Sequence, residues 1–256
     1  MQLERIPTVS ACIPHRNYFE YLPEALHSLR LQSFSISEIA VVDDNSDNGD
    51  WERIKDFADT WPKQAPKLTI RRVENNPMEE RSQRIPYIRN QAFLALSAPT
   101  PDYIFFPDSD DLWEKDYVKK CIEIMENDAT IDIVYPNVVH YQDGGKIKKI
   151  AKVPKFDQDR LFRQCYITCC SVMRTEAFLH AGQWPTKYFK KEFVFWNIIT
   201  RIGHKAAKLP GSHFFYRIHA GQRHSQYNGN GGGKVEKGHR YLAHRYIAER
   251  FGLMYK

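Results

Sequence analysis

Apolar and polar positions alternate in short blocks along the first half of the chain, and each block has a recognisable period. Thr8–Pro14 (TVSACIP) is an apolar run that ends in proline, the pattern of a buried strand. Leu22–Gln32 places apolar residues at 22, 25, 26 and 29, a helical spacing opened by Pro23 in its first turn. Glu38–Asp44 (EIAVVDD) predicts a second strand that stops in the polar turn NSDNGD. A helix over Trp51–Trp61, a strand over Lys67–Val73, a helix over Ile85–Ser97 and a strand over Tyr103–Phe106 follow. A helix over Tyr117–Glu126 and a strand over Ile131–Tyr135 complete the series. Such strict alternation predicts an α/β fold with a mostly parallel, Rossmann-like sheet and helices on both faces.

The pattern changes after residue 136. Val138–Tyr141 and Ile147–Val153 flank Asp143-Gly144-Gly145 and read as a hairpin. Tyr166–Met173 predicts a strand. Thr175–Ala181 and Glu192–Ile202 predict helices closed by Gly182 and Gly203. Strands over Ala206–Leu209 and His213–Ile218 and a last helix over Arg240–Phe251 follow. Residues 227–234 (YNGNGGGK) are too glycine-rich to hold one shape and read as a flexible loop or a linker. We therefore expect two halves of one domain. Residues 1–136 would be the nucleotide-binding half, and residues 137–256 a smaller, mixed acceptor-side half.

Ligands of a parallel sheet bind beyond the carboxyl ends of its strands. Asp43-Asp44 and Asp108-Ser109-Asp110-Asp111 both fall at such ends, so two acidic clusters are expected on one rim. Three carboxylates in four residues repel one another unless a cation sits among them. Oxygen ligands of that kind suit a hard divalent ion that also neutralises a diphosphate. A turn capping the helix near Asp116 is the alternative.

Composition changes this picture little. The net charge of +6 favours anionic partners without choosing among them, and Lys146–Lys155 is the one basic run, more in keeping with a solvated hairpin edge. A nucleic-acid partner is not expected, because no binding module is recognisable and the rim is acidic. Five cysteines at 12, 121, 165, 169 and 170 form no Cys-x-x-Cys pair and are read as reduced thiols, and the spacing of Cys165, Cys169 and Cys170 matches no ordinary zinc module, so we read those three as buried small hydrophobes. The amino terminus lacks the layout of a signal peptide, and no apolar run reaches membrane-spanning length. A cytoplasmic protein is expected, with peripheral association at the inner membrane face left open.

Ile13-Pro14-His15-Arg16-Asn17, Val41-Val42-Asp43-Asp44-Asn45-Ser46, Ile88-Arg89-Asn90-Gln91-Ala92 and Phe106-Pro107-Asp108-Ser109-Asp110-Asp111 resemble, in order, the signatures of family 2 glycosyltransferases. The resemblance runs from about residue 8 to about residue 225. It implies a GT-A fold and metal-dependent, inverting transfer of a sugar from a nucleotide diphosphate to an acceptor hydroxyl. Pro14 and Arg16 would then border the nucleotide. Asp44 would accept a hydrogen bond from the base, favouring a UDP-linked donor, and Arg84 or Arg81 would reach the nucleotide. Asp110 would serve the ribose and metal side, and Asp111 would ligate Mn2+ or Mg2+. Phe215-Tyr216-Arg217-Ile218-His219 resembles the late Tyr-Arg-x-His motif, making His219 a further metal ligand or a contact of the diphosphate, and Arg217, Arg223 and His224 candidates for the diphosphate's charge. The family's Glu-Asp-x-Asp-hydrophobic-Trp segment is represented by Lys191-Glu192-Phe193-Val194-Phe195-Trp196, where Glu192 is the one acid and stands in the place of the catalytic base. Asp43 is open between ligand contact and turn capping, Arg89 between nucleotide contact and a helix-to-sheet salt bridge. Trp184 and Trp196 are open between acceptor walls and core. The acceptor implied is a glycan or lipid-linked glycan of bacterial lipopolysaccharide, capsule or O-antigen. A sugar nucleotidyltransferase and a degenerate, non-catalytic binder of nucleotide or glycan are the competing readings. The first is disfavoured because His15-Arg16-Asn17-Tyr18 is not a glycine-rich phosphate loop.

Overall fold

The protein is described here from a computed structural model, over residues 5–79, 81–187, 191–219 and 245–252. A nine-stranded sheet carries the chain, in the order β3-β2-β1-β4-β8-β6-β9-β5, with β7 paired to β6. Its first half is parallel. β1 (Val9–His15) lies between β2 (Glu38–Asp43) and β4 (Tyr103–Phe105), and β3 (Lys67–Arg72) extends it beyond β2. Every residue of β2 and nearly every one of β1 is buried, as expected of strands covered by helices on both faces. Because these strands run in one direction, the ends of β1, β2 and β4 open on one rim.

The helices bury the faces their spacing predicts. In α1 (Leu22–Arg30) the buried residues are Leu22, Ala25, Leu26 and Leu29, with Pro23 in the first turn. α2 (Asp50–Asp59) starts from Gly49, whose φ of +84° needs a residue without a Cβ. α3 (Arg81–Leu94) packs on β1 and β2 through Ile88 and Ala92 and begins four residues before the predicted start, with Pro86 inside it. α4 (Tyr117–Asn127) follows the short β5 (Leu112–Trp113).

The second half is mixed and departs from the predicted boundaries. The strands expected at Ile131–Tyr135 and Val138–Tyr141 are one strand, β6 (Ile131–Gln142). Pro136 interrupts the sequence pattern but not the strand, because the register shifts between Tyr135 and Asn137 and the missing N–H falls at that irregularity. The two late strands likewise fuse into β9 (Lys205–Arg217), parallel to β6, with Pro210-Gly211 absorbed as a break in pairing. The predicted hairpin is present as β6 and β7 (Lys146–Ala151). The strand expected over Tyr166–Met173 is only β8 (Val172–Arg174). Residues before it turn instead, with Ser171 N donating to Thr168 O at 3.2 Å. A short helix, α5 (Gln158–Arg163), was not foreseen. α6 (Thr175–His180) and α7 (Lys191–Arg201) end before Gly182 and Gly203, whose φ angles of +83° and +113° suit helix termination. Residues 245–251 are helical, and 227–234 lie outside the described residues. Among the described residues, no helix is long and apolar enough to cross a membrane.

Candidate active site

The β1–α1 and β2–α2 loops are laced together at the rim. Asp43 is fully buried, accepts from Ser46 N at 3.1 Å and from the Ser46 hydroxyl, and lies 3.6 Å from Arg72. It caps the turn and does not reach into the cleft. Asn17 and Asn45 take left-handed φ angles of +58° and +51°. Asn17 Nδ2 donates to Asp47 at 2.8 Å while Asp47 N donates back to Asn17 Oδ1 at 3.1 Å. Beneath them, His15 and Asp50 pair at 3.2 Å with both side chains shut off from solvent. Asp50 also accepts from Phe19 N at 2.9 Å. Burial pushes the Asp50 carboxyl up, but the bonds from His15 and Phe19 outweigh it and hold the group below its ordinary value. Asp50 escaped the sequence reading because nothing in NSDNGD distinguishes a buried aspartate from a solvated one.

Of the residues expected to hold nucleotide, Asp44, Arg16 and Arg84 meet. Asp44 receives two bonds from Arg84, at 2.7 and 2.9 Å, and a third from Asn76 Nδ2 at 2.8 Å. Arg16 donates to the Asp44 carbonyl at 3.0 Å. Pro14 stands beside Val42 in the β1–β2 register, one residue before the ends of both strands. The Arg81 side chain lies outside the described residues.

The acidic loop after β4 is anchored from behind. Arg217 N donates to Asp111 at 3.0 Å and Arg217 Nε to the Asp110 carbonyl at 2.9 Å. The same guanidinium pairs with Glu24 and Asp143 and lies over the rings of Tyr21 and Tyr141. This buried arginine is a buckle for the loop. Arg223 and His224 lie outside the described residues. His219 Nε2 stands 3.1 Å from Asp110 Oδ2, walled by Tyr18 and Tyr21. The Asp111 carboxyl is pushed well up, first by burial and then by the charges of Asp110, Cys170 and Asp108.

Arg89 joins the loop to Glu192. It is 1% exposed, donates to Asp108 Oδ1 at 2.8 Å and to Glu192 Oε1 at 3.1 Å, and lies 5.0 Å from the centre of the Trp184 ring. Burial opposes its charge, yet Cys169 and the two carboxylates raise its pKa further. The adjacent Asn90 holds the Trp184 backbone through both amide atoms, at 2.9 and 3.0 Å. Trp184 and Trp196 are core residues, each no more than 1% exposed. Glu192 opens α7 with its side chain about a third exposed, facing the positive end of the helix as well as Arg89. Lys191 beside it is buried.

The family model for "Glycosyl transferase family 2" matches residues 10–224. The chain belongs to that family. This glycosyltransferase is 25% identical over 201 residues to TuaG of Bacillus subtilis (strain 168), named as a teichuronic acid biosynthesis glycosyltransferase. The match covers 78% of this chain and 75% of the relative. It is also 25% identical over 217 residues to WfaP of Escherichia coli, a UDP-Glc:alpha-D-GlcNAc-diphosphoundecaprenol beta-1,3-glucosyltransferase, covering 83% and 78% of the two chains. Among solved structures, the mannosyltransferase PcManGT of Pyrobaculum calidifontis, in complex with GDP-Man and Mn2+, superposes with a TM-score of 0.66 at 17% identity. That likeness covers 96% of this chain and 65% of the other, and shows the GT-A fold.

Proposed function

We propose that this glycosyltransferase moves a sugar from a UDP-linked donor to a hydroxyl of a lipid-linked glycan, with inversion, in the building of a surface polysaccharide. The observation that carries the catalytic reading is the Arg89 bridge, which holds Glu192 beside Asp108 of the acidic loop. A base and a diphosphate-binding loop must share one cleft for transfer to occur, and here one guanidinium spans them. The first relative's name supports a role in polysaccharide building, and the second's supports both the lipid-linked acceptor and the UDP donor.

The residue types fit a divalent ion, with Asp110 and His219 already side by side and Asp111 next in the chain. Asp110, Asp111 and His219 offer carboxylate and imidazole donors, and a cation would relieve both the burial and the neighbouring charges that push the Asp111 carboxyl up. That oxygen-rich set suits Mn2+ or Mg2+, and Mn2+ accompanies the structural neighbour. Such an ion, when bound, offsets charge on the departing diphosphate. Arg84 and Asn76 fix the Asp44 carboxylate as an acceptor toward the cleft, matching the imide N–H of uracil. Arg16 adds positive charge beside it. Glu192, partly exposed, takes the proton of the acceptor hydroxyl as that oxygen attacks the anomeric carbon. Arg89 keeps the carboxylate aimed.

The test is hydrolysis of a panel of nucleotide sugars by the full chain, with Mn2+, with Mg2+ and with EDTA. We expect metal-dependent release of UDP from one donor, since transferases slowly pass sugar to water. Metal-independent release would remove the cation from this account. Binding without any turnover, with or without acceptor, would favour the degenerate reading, to which the lack of acids at 191 and 194 points. No binding of any nucleotide sugar would overturn the proposal.

A further inference from the structure

The turn before β8 presents two consecutive cysteines to the acidic loop. In an extended strand, neighbouring side chains would point to opposite faces. Here the Thr168–Ser171 turn brings both thiols to one side. Cys169 Sγ lies 3.4 Å from Asp108 Oδ2 and 3.8 Å from Cys170 Sγ, and the three ligand atoms lie within 4.8 Å of one another. Zinc bonds of about 2.3 Å to sulfur and about 2.1 Å to oxygen, at tetrahedral angles, require S···S near ~3.8 Å and S···O near ~3.6 Å. The two observed separations are close to these edges. Both thiols are buried, whereas the Asp108 side chain is 32% exposed, so an ion would enter from the cleft and keep its fourth position for water.

We propose that Asp108, Cys169 and Cys170 form a site for a thiophilic divalent cation of the zinc type, separate from the oxygen-rich site at Asp110, Asp111 and His219. Softness separates the two: thiolates select zinc and cadmium over manganese and magnesium. Binding forms two metal–sulfur bonds and one metal–oxygen bond, and the two thiol protons leave to solvent. The dication and the buried Arg89, which is shared with Glu192, offset most of the charge on the two thiolates and Asp108. The ion would sit on Asp108 Oδ2, the oxygen facing Cys169, while Arg89 holds Oδ1. The binding claim stands apart from the proposed reaction, and its test reads no activity.

The experiment is a titration of the Cys165→Ser protein with Cd2+ alone, following the ultraviolet sulfur-to-metal charge-transfer band. The substitution removes the exposed thiol nearby, and carboxylate sites give no such band. One equivalent should saturate it, Cys169→Ser and Cys170→Ser should each abolish or halve it, and Asp108→Asn should weaken binding about tenfold to a hundredfold. A zinc-edge X-ray absorption spectrum of the unsubstituted protein with one equivalent of Zn2+ does not depend on any variant folding, and should count two sulfur ligands. Absence of the band, its undiminished survival in either serine variant, or a spectrum with fewer than two sulfurs would overturn the proposal.

Discussion

A buried guanidinium bonded to two carboxylates from different elements leaves little freedom in what its loss would do. Removing Arg89 strands Asp108 and Glu192 facing each other with no cation between them, and opens a void beneath Trp184. We expect Arg89→Met to lower stability by about 3 kcal/mol or more, read as a shift in the urea midpoint. Arg89→Lys, one point charge in place of a planar fork, cannot span both partners; it should keep most of that stability yet lower kcat at least about tenfold, with KM for donor little changed. Equal loss in kcat and in donor affinity would show that Arg89 acts on the nucleotide. Glu192→Gln is the sharper test of chemistry: donor binding by calorimetry should be unchanged while transfer falls about a hundredfold to ten-thousandfold. Unchanged turnover would remove Glu192 as the base. Glu192 was visible in the sequence as the one acid of its segment. Its partner was not, because Arg89 lies 103 residues away and local pattern carries no trace of that contact. Cys165 fails in the opposite way, being exposed where an apolar reading of its type had it buried.

At the scale of elements, the rim loops hold their shape through His15 and Asp50, not through glycine alone. Asp50→Ala would leave His15 and Phe19 N without their acceptor in a site closed to water, at a cost of about 3 kcal/mol. The pH dependence follows from the depressed Asp50 carboxyl. Its unfolded form, near the ordinary 3.8, binds a proton before the folded form does. The stability it adds is therefore fully present above that value and is lost as pH falls through the lower folded one. The gap in unfolding free energy between wild type and Asp50→Asn should thus stay constant from neutral pH to about pH 5 and narrow below about pH 4. A gap independent of pH would mean that packing, not charge, accounts for the pair. The parallel strands and α1 were legible because burial on both faces writes continuous apolar runs and helical spacing into the chain. β6 and β9 were split in the sequence because Pro136 and Pro210-Gly211 read as stops, and only a neighbouring strand shows that pairing resumes beyond them. The overlong strand predicted at Tyr166 has a similar origin, since an apolar run does not reveal a turn whose hydrogen bond is local.

For the whole molecule, the parallel half brings Asp44, Arg16 and Arg84 together at the rim, while the mixed half returns β9 to buckle the acidic loop from behind. His219, just past β9, faces Asp110, and Arg217 N reaches Asp111, so both halves contribute to the proposed cation site. An ion there should tighten the whole fold, because it binds the assembled site and has no equivalent in the unfolded chain. Linkage sets the size: ligand at a hundred times its Kd adds about 2.7 kcal/mol. For a chain of this length that is a rise in Tm of roughly 5–10 °C. We expect Mn2+ and UDP together to raise Tm by more than the sum of their separate shifts, since the ion and the diphosphate neutralise each other. EDTA should remove the excess. Asp111→Asn should abolish the synergy while leaving the shift from UDP alone, whose proposed contacts at Asp44, Arg16 and Arg84 lie just past β1 and β2 and on α3, away from the acidic loop. Additive shifts in the wild type would mean that nucleotide and cation bind independently, and the acidic loop would then need another partner to explain the carboxylates gathered there.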